Sequence, residues 1–364
     1  MKKLFISVFA LLALASCSSD DTATVTNPEA TPETTAPGDG EAVSGVFGTQ
    51  ANPLNVGGPN QQNQVYVDLS GKAATPIARD SWDLGFYAGS DFRIVLNGSL
   101  GMAVKKLNTT DITLVQQEDA MVAVGTFEAS NLAFVDNPMG NLDGTAFGVL
   151  ATNQADASVY LLNLGYSVPT TMPAAGSVNT AGALRGWKKL KVWADGAGYK
   201  MQFADLNDAN YTEVTIAKNA AYNHTFYSLE NKTEIQAEPQ KDKWDIKFTT
   251  FTNEVFQGGA SAGSYFFSDF VVTNTKSGVT AYKVEGGEDA FNAYARTNVT
   301  DGLFSTDQRA IGANWRDVIQ KQVFDNVFFI LKDGEGRVYK IRFISMLDAS
   351  LNRGFPLFQY QELR

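Results

Sequence analysis

The sequence of 364 residues contains one cysteine, Cys17, and one histidine, His224. With a single histidine, neither a Ser-His-Asp nor a Cys-His arrangement has a credible catalytic base. No group of histidines and cysteines can hold zinc. The 39 acidic residues offer many chance pairs, and their spacing singles out no catalytic dyad. We therefore expect a protein that is not an enzyme.

Cys17 follows a segment typical of exported proteins. Lys2 and Lys3 precede an apolar run over residues 4–14, and Ala15 and Ser16 then lead into the cysteine. The run is too short to span a bilayer, which takes about 20 apolar residues, so it is predicted to be a signal peptide. The segment resembles the lipobox of bacterial lipoproteins. That resemblance implies removal of residues 1–16 and lipidation of Cys17; the alternative is an ordinary secretory signal with a chance cysteine.

A polar tether is predicted after the cysteine, over residues 17–60. Residues 20–42 are almost wholly Ser, Thr, Asp, Glu, Ala, Pro and Gly. Such a composition buries too little apolar surface to offset chain entropy, which predicts a disordered linker. Ser19-Asp20-Asp21 resembles the acidic signal that exports Bacteroidota lipoproteins to the cell surface, although a generic acidic tether has the same composition.

Charge and composition narrow the possible partners. The formal net charge is −10, which argues against nucleic acid because phosphate binding needs a basic patch. The mature chain has no second cysteine, so it has no intramolecular disulfide. Aromatic residues make up 12% of the sequence, with Phe and Tyr dominant, and this favours β-strands.

Short apolar runs separated by Gly, Asn, Asp and Pro predict an all-β fold of antiparallel strands. Examples are residues 65–69, 82–86 and 92–96, and Asn97-Gly98 after the last of these predicts a hairpin turn. A helical period is confined to residues 288–296, where we expect one short helix.

The sequence contains an internal repeat in two pieces. It predicts two related β units from tandem duplication, residues 61–220 and residues 221–364; the alternative is that Trp-Asp strands and Asp-Gly hairpins are common in any β protein. The pieces are residues 65–69 plus 82–86, repeated as 225–229 plus 244–248, and residues 192–203, repeated as 330–343.

The order of these motifs resembles that of the HmuY family, the haem-binding lipoproteins of Bacteroidota. The strongest pieces are residues 82–86 with Arg93 and Asn97-Gly98, and residues 327–343 with 355–360. The resemblance implies an almost all-β fold, haem capture at the cell surface and delivery to a TonB-dependent receptor.

The resemblance also implies where haem iron would be held. The founding member uses two histidines, which this chain cannot supply, whereas some members are thought to use two methionines. Met139 and Met172 lie in the corresponding region of the first unit. Methionine thioether is an accepted haem ligand, soft and neutral. The alternative is that both methionines simply cover apolar surface.

We therefore expect an outer-membrane lipoprotein, exposed at the cell surface or else facing the periplasm, that binds haem or porphyrin for uptake without catalysis. A second possibility is a recognition lipoprotein that binds a glycan or a protein through loop aromatics. Trp187, Trp193 and Trp315 are the candidates, although a place in the apolar core is favoured for each of them. A third is a structural partner of an outer-membrane receptor.

Overall fold

The computed structural model describes residues 41–364. The predicted signal peptide, Cys17 and the first part of the predicted tether lie outside the described residues. Each pair of neighbouring strands in the sheets is antiparallel, as the alternating apolar pattern predicts. The all-β fold class is confirmed.

The strands, in chain order, are β1 (Ser44–Phe47), β2 (Asn63–Asp68), β3 (Ala73–Ala78), β4 (Leu84–Tyr87), β5 (Ile94–Leu96), β6 (Ala103–Lys106), β7 (Val159–Asn163), β8 (Trp187–Asp195), β9 (Gly198–Ala204), β10 (Thr212–Ile216), β11 (His224–Ser228), β12 (Thr233–Ile235), β13 (Ile246–Gln257), β14 (Ala260–Thr273), β15 (Thr280–Glu285), β16 (Arg316–Asp317), β17 (Gln322–Val323), β18 (Val327–Lys332), β19 (Val338–Leu347) and β20 (Arg353–Leu363).

Helical structure is sparse in the described chain. One short α-helix, α1 (Glu288–Ala293), lies within the segment predicted to be helical. Short 3₁₀ turns occupy Gly58–Asn60, Gly98–Leu100, Ala129–Phe134, Leu142–Gly144, Thr275–Ser277, Arg296–Asn298 and Asp301–Leu303.

Two five-stranded sheets form the outer parts of the fold. Their strand orders are β10-β9-β8-β7-β6 and β1-β20-β19-β18-β15. Each covers its own apolar core. In the second core, the ring of Phe343 stacks on Trp315 at 4.4 Å between centroids and lies 5.7 Å from Phe358. Burying a large apolar side chain contributes about 1.5–3 kcal/mol, so these aromatic contacts are a main source of stability.

Two four-stranded sheets join the halves of the sequence. Their orders are β12-β11-β4-β5 and β14-β13-β2-β3. Hairpin β2–β3 from the first half thus pairs with β13 from the second, and hairpin β11–β12 pairs with β4. Each sheet is therefore built by an exchange of hairpins. The predicted boundary near residue 220 lies between β10 and β11, and it stays a prediction about how the sequence divides.

The predicted tether extends too far along the chain. Strand β1 pairs with β20 along Ser44–Phe47, and Phe47, Leu54 and Val56 are buried in the second core. These side chains bury apolar surface that the polar segment before them lacks, so the fold includes residues 44–60 that the sequence assigned to the linker.

The first repeat piece occupies equivalent places in the two exchanged sheets, but the second does not. The Asp-Gly hairpin β8–β9 forms the third and fourth strands of its sheet when the strands are counted from β6. The hairpin β18–β19 forms the second and third strands of its sheet when they are counted from β15. Asp-Gly is a common sequence in any tight β-hairpin turn, so hairpins of similar sequence can occur at different positions in a sheet.

The hairpin predicted at Asn97-Gly98 is absent. Asn97 instead begins the turn Gly98–Leu100, and β6 leaves to join the five-stranded sheet. Asn274 begins the turn Thr275–Ser277 before β15 in the same way. Gly101 and Gly278 end these turns with φ of 67° and 82°, a region that favours glycine.

Candidate functional site

The Trp-Asp motifs lie where the two halves meet. Asp83 Oδ2 accepts a hydrogen bond from Leu229 N at 2.7 Å, and Asp245 Oδ2 accepts one from Leu69 N at 2.8 Å. Each aspartate thus holds the end of a strand from the other half. This reciprocity relates Leu69 to Leu229 and Asp83 to Asp245, and so defines an approximate twofold symmetry.

Two buried asparagines repeat the same symmetry. Asn97 Nδ2 donates to Trp82 O at 2.8 Å, and Asn274 Nδ2 donates to Trp244 O at 2.9 Å. Both amides satisfy carbonyls of the loop before the Trp-Asp strand, where an unpaired buried carbonyl is costly. The sequence singled out Asn97 as a turn residue but gave no sign of Asn274.

The two tryptophans pack on aromatic rings of the other half. Trp82 meets Phe226 edge-on at 4.6 Å between centroids, and Trp244 meets Tyr66 edge-on at 5.0 Å. Edge-to-face pairs of this kind are worth about 0.5–1.5 kcal/mol beyond their buried area. The Trp-Asp motifs therefore join the halves through both a carboxylate and an indole.

The symmetry breaks at the indole nitrogens. Trp82 Nε1 donates to Gln64 Oε1 at 3.0 Å. The position equivalent to Gln64 is His224, since both lie five residues before the leucine that bonds to an aspartate. Within residues 41–364, Trp244 Nε1 and His224 Nε2 are both buried and have no hydrogen-bond partner.

A cavity of about 150 Å³ opens at this point between the halves. We call it the central cavity; Trp82, Trp244, His224, Lys247 and Asp136 are among the residues that line it. The hydroxyls of Thr145 and Thr273 also line it, and in the described structure they are buried without a partner. The central cavity therefore has several buried polar atoms with bonding capacity left over.

Asp136 and Lys276 are an acid and a base that line the cavity wall, without an ion pair between them. Asp136 accepts hydrogen bonds from Leu96 N at 2.7 Å and from Ala146 N at 2.9 Å. Burial raises the pKa of Asp136 to about 6 despite these bonds, and burial also lowers the pKa of Lys276. Lys276 Nζ donates to Gly140 O.

Glu238 and Lys247 are a second acid and a second base that line the central cavity, without an ion pair between them. Glu238 Oε1 accepts a hydrogen bond from His224 N at 2.8 Å, and burial raises the pKa of Glu238 to about 7. Burial lowers the pKa of Lys247 to about 8. In the part of the chain that the structure describes, no oxygen lies within hydrogen-bonding distance of Lys247 Nζ; the ammonium lies 5.4 Å from the Tyr66 ring centroid.

His224 is held neutral in this setting. Burial, together with the positive charges of Lys276 and Lys247, lowers the pKa of His224 to about 3. A neutral imidazole with a free Nε2 can donate or accept one hydrogen bond at that atom. The sequence placed His224 at the start of a strand but did not reveal that its imidazole is neutral and its Nε2 buried.

The two predicted methionine ligands lie outside the central cavity. Met139 is 49% exposed and lines a second cavity of about 260 Å³, together with Pro138 and Arg309. Met172 is 62% exposed and lines neither cavity. Both thioethers are open to solvent, and their role as ligands stays a prediction.

The tryptophans proposed for sugar stacking are not surface platforms. Trp193 and Trp315 are buried, and Trp187 is half-buried against Ala103 and its neighbours. Large exposed aromatics lie elsewhere, for example Phe127 and Tyr265, whose ring centroids are 5.7 Å apart. The favoured place in the core is therefore confirmed for Trp193 and Trp315, which are not available for stacking on a sugar.

Residues 41–364 contain no group of three or more His, Cys, Asp or Glu side chains that could hold a metal ion. No helix in that range is long and apolar enough to cross a membrane.

Comparison with known proteins gave one family. The family described as HmuY protein matches residues 60–218 and again residues 220–360. Neither the curated proteins nor the solved structures gave a match. The two matches cover most of the chain and contain both Trp-Asp motifs. On this evidence the chain belongs to the HmuY family.

Proposed function

We propose that this protein is a membrane-anchored lipoprotein that binds haem or a related porphyrin for uptake, without catalysing a reaction. The observation that carries the proposal is the double match to the HmuY family, a family associated with haem binding. Anchoring through a lipid on Cys17, at the outer membrane, and delivery to a TonB-dependent receptor are part of the same proposal.

The donor chemistry of the chain is compatible with haem iron. Met139 and Met172 present accessible thioethers, neutral soft ligands of the kind found in haem proteins. His224 is a poor alternative because its Nε2 is buried and the chain has no second histidine. We therefore propose that the two methionines hold the iron and that neighbouring apolar side chains cover part of the macrocycle.

Haem titration tests the proposal directly. Residues 18–364 are titrated with haemin under oxidising and reducing conditions, and absorbance is followed in the Soret region. We expect saturable one-to-one binding that weakens in Met139→Ala and in Met172→Ala. Met121→Ala is the matched control, because Met121 is 44% exposed and was not predicted as a ligand.

The outcomes separate the ligands from the function. Loss of affinity in all three variants equally would point to a general effect of removing a surface methionine. Unchanged binding in both ligand variants would make the methionine assignment wrong. A spectrum that does not change on adding haemin to the parent protein would refute haem binding itself.

A second candidate is recognition of a glycan or protein through exposed loop aromatics. The observation that favours it is the exposed pair Phe127 and Tyr265, the latter on the long β13–β14 hairpin. Aromatic faces of this kind can stack on sugars or on a protein partner. Phe127→Ala with Tyr265→Ala should abolish such binding and leave the haem titration unchanged; the reverse result would count against recognition at this pair.

A further inference from the structure

The central cavity has unused hydrogen-bond donors. Trp244 Nε1 can only donate, and it is buried without an acceptor within the described residues. Lys247 Nζ is a charged donor that makes no hydrogen bond or ion pair within the same range, although the charge of Glu238 raises its pKa. Trp244 and Lys247 both pack against Tyr66, the indole at 5.0 Å and the ammonium at 5.4 Å from the ring centroid. Two donors thus face the central cavity around one aromatic ring.

The carboxylates of the central cavity are already bonded. Asp136 accepts two backbone N–H groups, from Leu96 and Ala146, and Glu238 accepts the N–H of His224. Neither carboxylate accepts a hydrogen bond from Trp244 Nε1 or Lys247 Nζ. Because the indole N–H is a donor only, a ligand that satisfies it must supply an acceptor atom.

The equivalent place in the other half shows what is missing. In the first half, the indole of Trp82 donates to Gln64. The residue equivalent to Lys247 is Gly85, because each lies two residues after the aspartate of its Trp-Asp motif. The first half thus satisfies its indole internally and carries no charge at this point. The second half leaves the indole free and adds a lysine.

We propose that the central cavity binds a small oxyanion, a carboxylate or a phosphate, held by Trp244 Nε1 and Lys247 Nζ. The hydroxyls of Thr145 and Thr273 can donate further hydrogen bonds to it. Charge-assisted hydrogen bonds from an ammonium are about twice as strong as neutral ones, so Lys247 supplies most of the affinity.

The size of the cavity fits such a ligand and not a macrocycle. A cavity of about 150 Å³ in another protein holds a molecule of about the size of benzene, and the central cavity has about this volume. Acetate and inorganic phosphate are of that size or smaller. This site is therefore independent of the haem proposal, and its test uses no haem.

Indole NMR tests the proposal. The chain has five tryptophans, so ¹⁵N-labelled protein gives five indole N–H resonances, and Trp244→Phe identifies one of them. Sodium acetate and inorganic phosphate are titrated separately at constant ionic strength. We expect the Trp244 resonance to shift saturably with at least one anion, while those of Trp187, Trp193 and Trp315, which do not line the central cavity, stay nearly fixed.

Lys247→Gln should weaken the binding by roughly tenfold to a hundredfold, the effect of losing one charged hydrogen bond. Lys243→Gln is the matched control, since the Lys243 side chain is 59% exposed on the same segment. The unchanged resonances of the other tryptophans report that each variant is folded.

Each result decides the matter. A shift with acetate alone identifies a carboxylate ligand, a shift with phosphate alone identifies a phosphate, and either supports the proposal. A Trp244 resonance that does not move with either anion would overturn it. Equal binding by Lys247→Gln and the parent would overturn it as well.

Discussion

Replacing His224 with glutamine is expected to stabilise the protein. In the first half, Gln64 Oε1 accepts the indole N–H of Trp82 at 3.0 Å. His224 holds the equivalent position, and within residues 41–364 both its Nε2 and Trp244 Nε1 lack partners. A glutamine at position 224 supplies the missing acceptor in the geometry that the other half already uses.

The size of the effect depends on pH. At pH 8 the gain is one hydrogen bond, about 1 kcal/mol of unfolding free energy. Burial and two lysine charges lower the pKa of folded His224 from 6.5 to about 3. Because the unfolded chain takes up the proton first, the neutral histidine costs nothing above about pH 6.5 and destabilises the fold as pH falls below it. At pH 5 this loss is about 2 kcal/mol.

The advantage of His224→Gln should therefore grow from about 1 kcal/mol at pH 8 to about 3 kcal/mol at pH 5. Urea unfolding followed by circular dichroism at both pH values measures it. Buried acids with raised pKa values, such as Asp136 and Glu238, act with the opposite sign, but they are present in both proteins and cancel in the difference.

His224→Leu is the control, because it removes the titrating group without supplying an acceptor. Relative to the parent, His224→Leu should gain about 2 kcal/mol of unfolding free energy at pH 5, from the loss of the titrating imidazole. It should gain nothing from a hydrogen bond to Trp244 at either pH. The reasoning is refuted if the parent and His224→Gln lose the same unfolding free energy between pH 8 and pH 5.

Three further substitutions have expected outcomes, two at the Trp-Asp motifs and one at Cys17. Asp83→Asn should cost about 3 kcal/mol in urea unfolding, because it leaves Arg185 without its buried partner at 2.8 Å. Asp245→Asn should cost under about 1 kcal/mol, because burial raises the pKa of Asp245 to about 7 and an amide replaces a half-protonated carboxyl; equal costs would contradict this. Cys17→Ser should abolish lipid labelling in cells and move the protein out of the membrane fraction, and retention of the label would show that another residue is modified.

Local patterns in the sequence were enough for the fold class. The continuous apolar run within Val327–Lys332 predicts a strand covered on both faces, and Phe328, Phe329, Ile330 and Leu331 are fully buried. The short helix α1 also lies where a helical period occurs. These features depend on neighbouring residues alone, so sequence is sufficient for them.

The partners of the strands could not be predicted in this way. Alternation tells which face of a strand is buried, but it does not tell which other strand lies beside it. Strands β4 and β11 pair across the two halves, and nothing local to either of them signals this. The hairpin prediction at Asn97-Gly98 was wrong for the same reason, because the strand after this turn, β6, pairs in a different sheet from the strand before it, β5.

The candidate sites differ in how well they could be predicted from the sequence. Met139 and Met172 were chosen from resemblance, and their role as ligands stays a prediction. The central cavity was missed, because His224, Lys247 and Asp136 come from separate segments, and only Lys247 lies within a repeat piece, residues 244–248. The one usable signal was the internal repeat: aligning its copies sets His224 against Gln64, and a change of residue type there marks the asymmetry.

The exchange of hairpins also constrains how the chain can fold. Leu69 N and Asp245 Oδ2 are joined by a hydrogen bond across 176 residues of sequence. Contacts so distant along the chain close slowly, because a long loop must be ordered before they form. Because the chain is synthesised from its N-terminus, β2 and β4 are made before β13 and β11. One edge of β2 and one edge of β4 therefore stay unpaired until those later strands are made. Open strand edges are templates for aggregation. Keeping these edges unpaired with other chains until β13 and β11 are available is therefore a requirement of folding for this architecture.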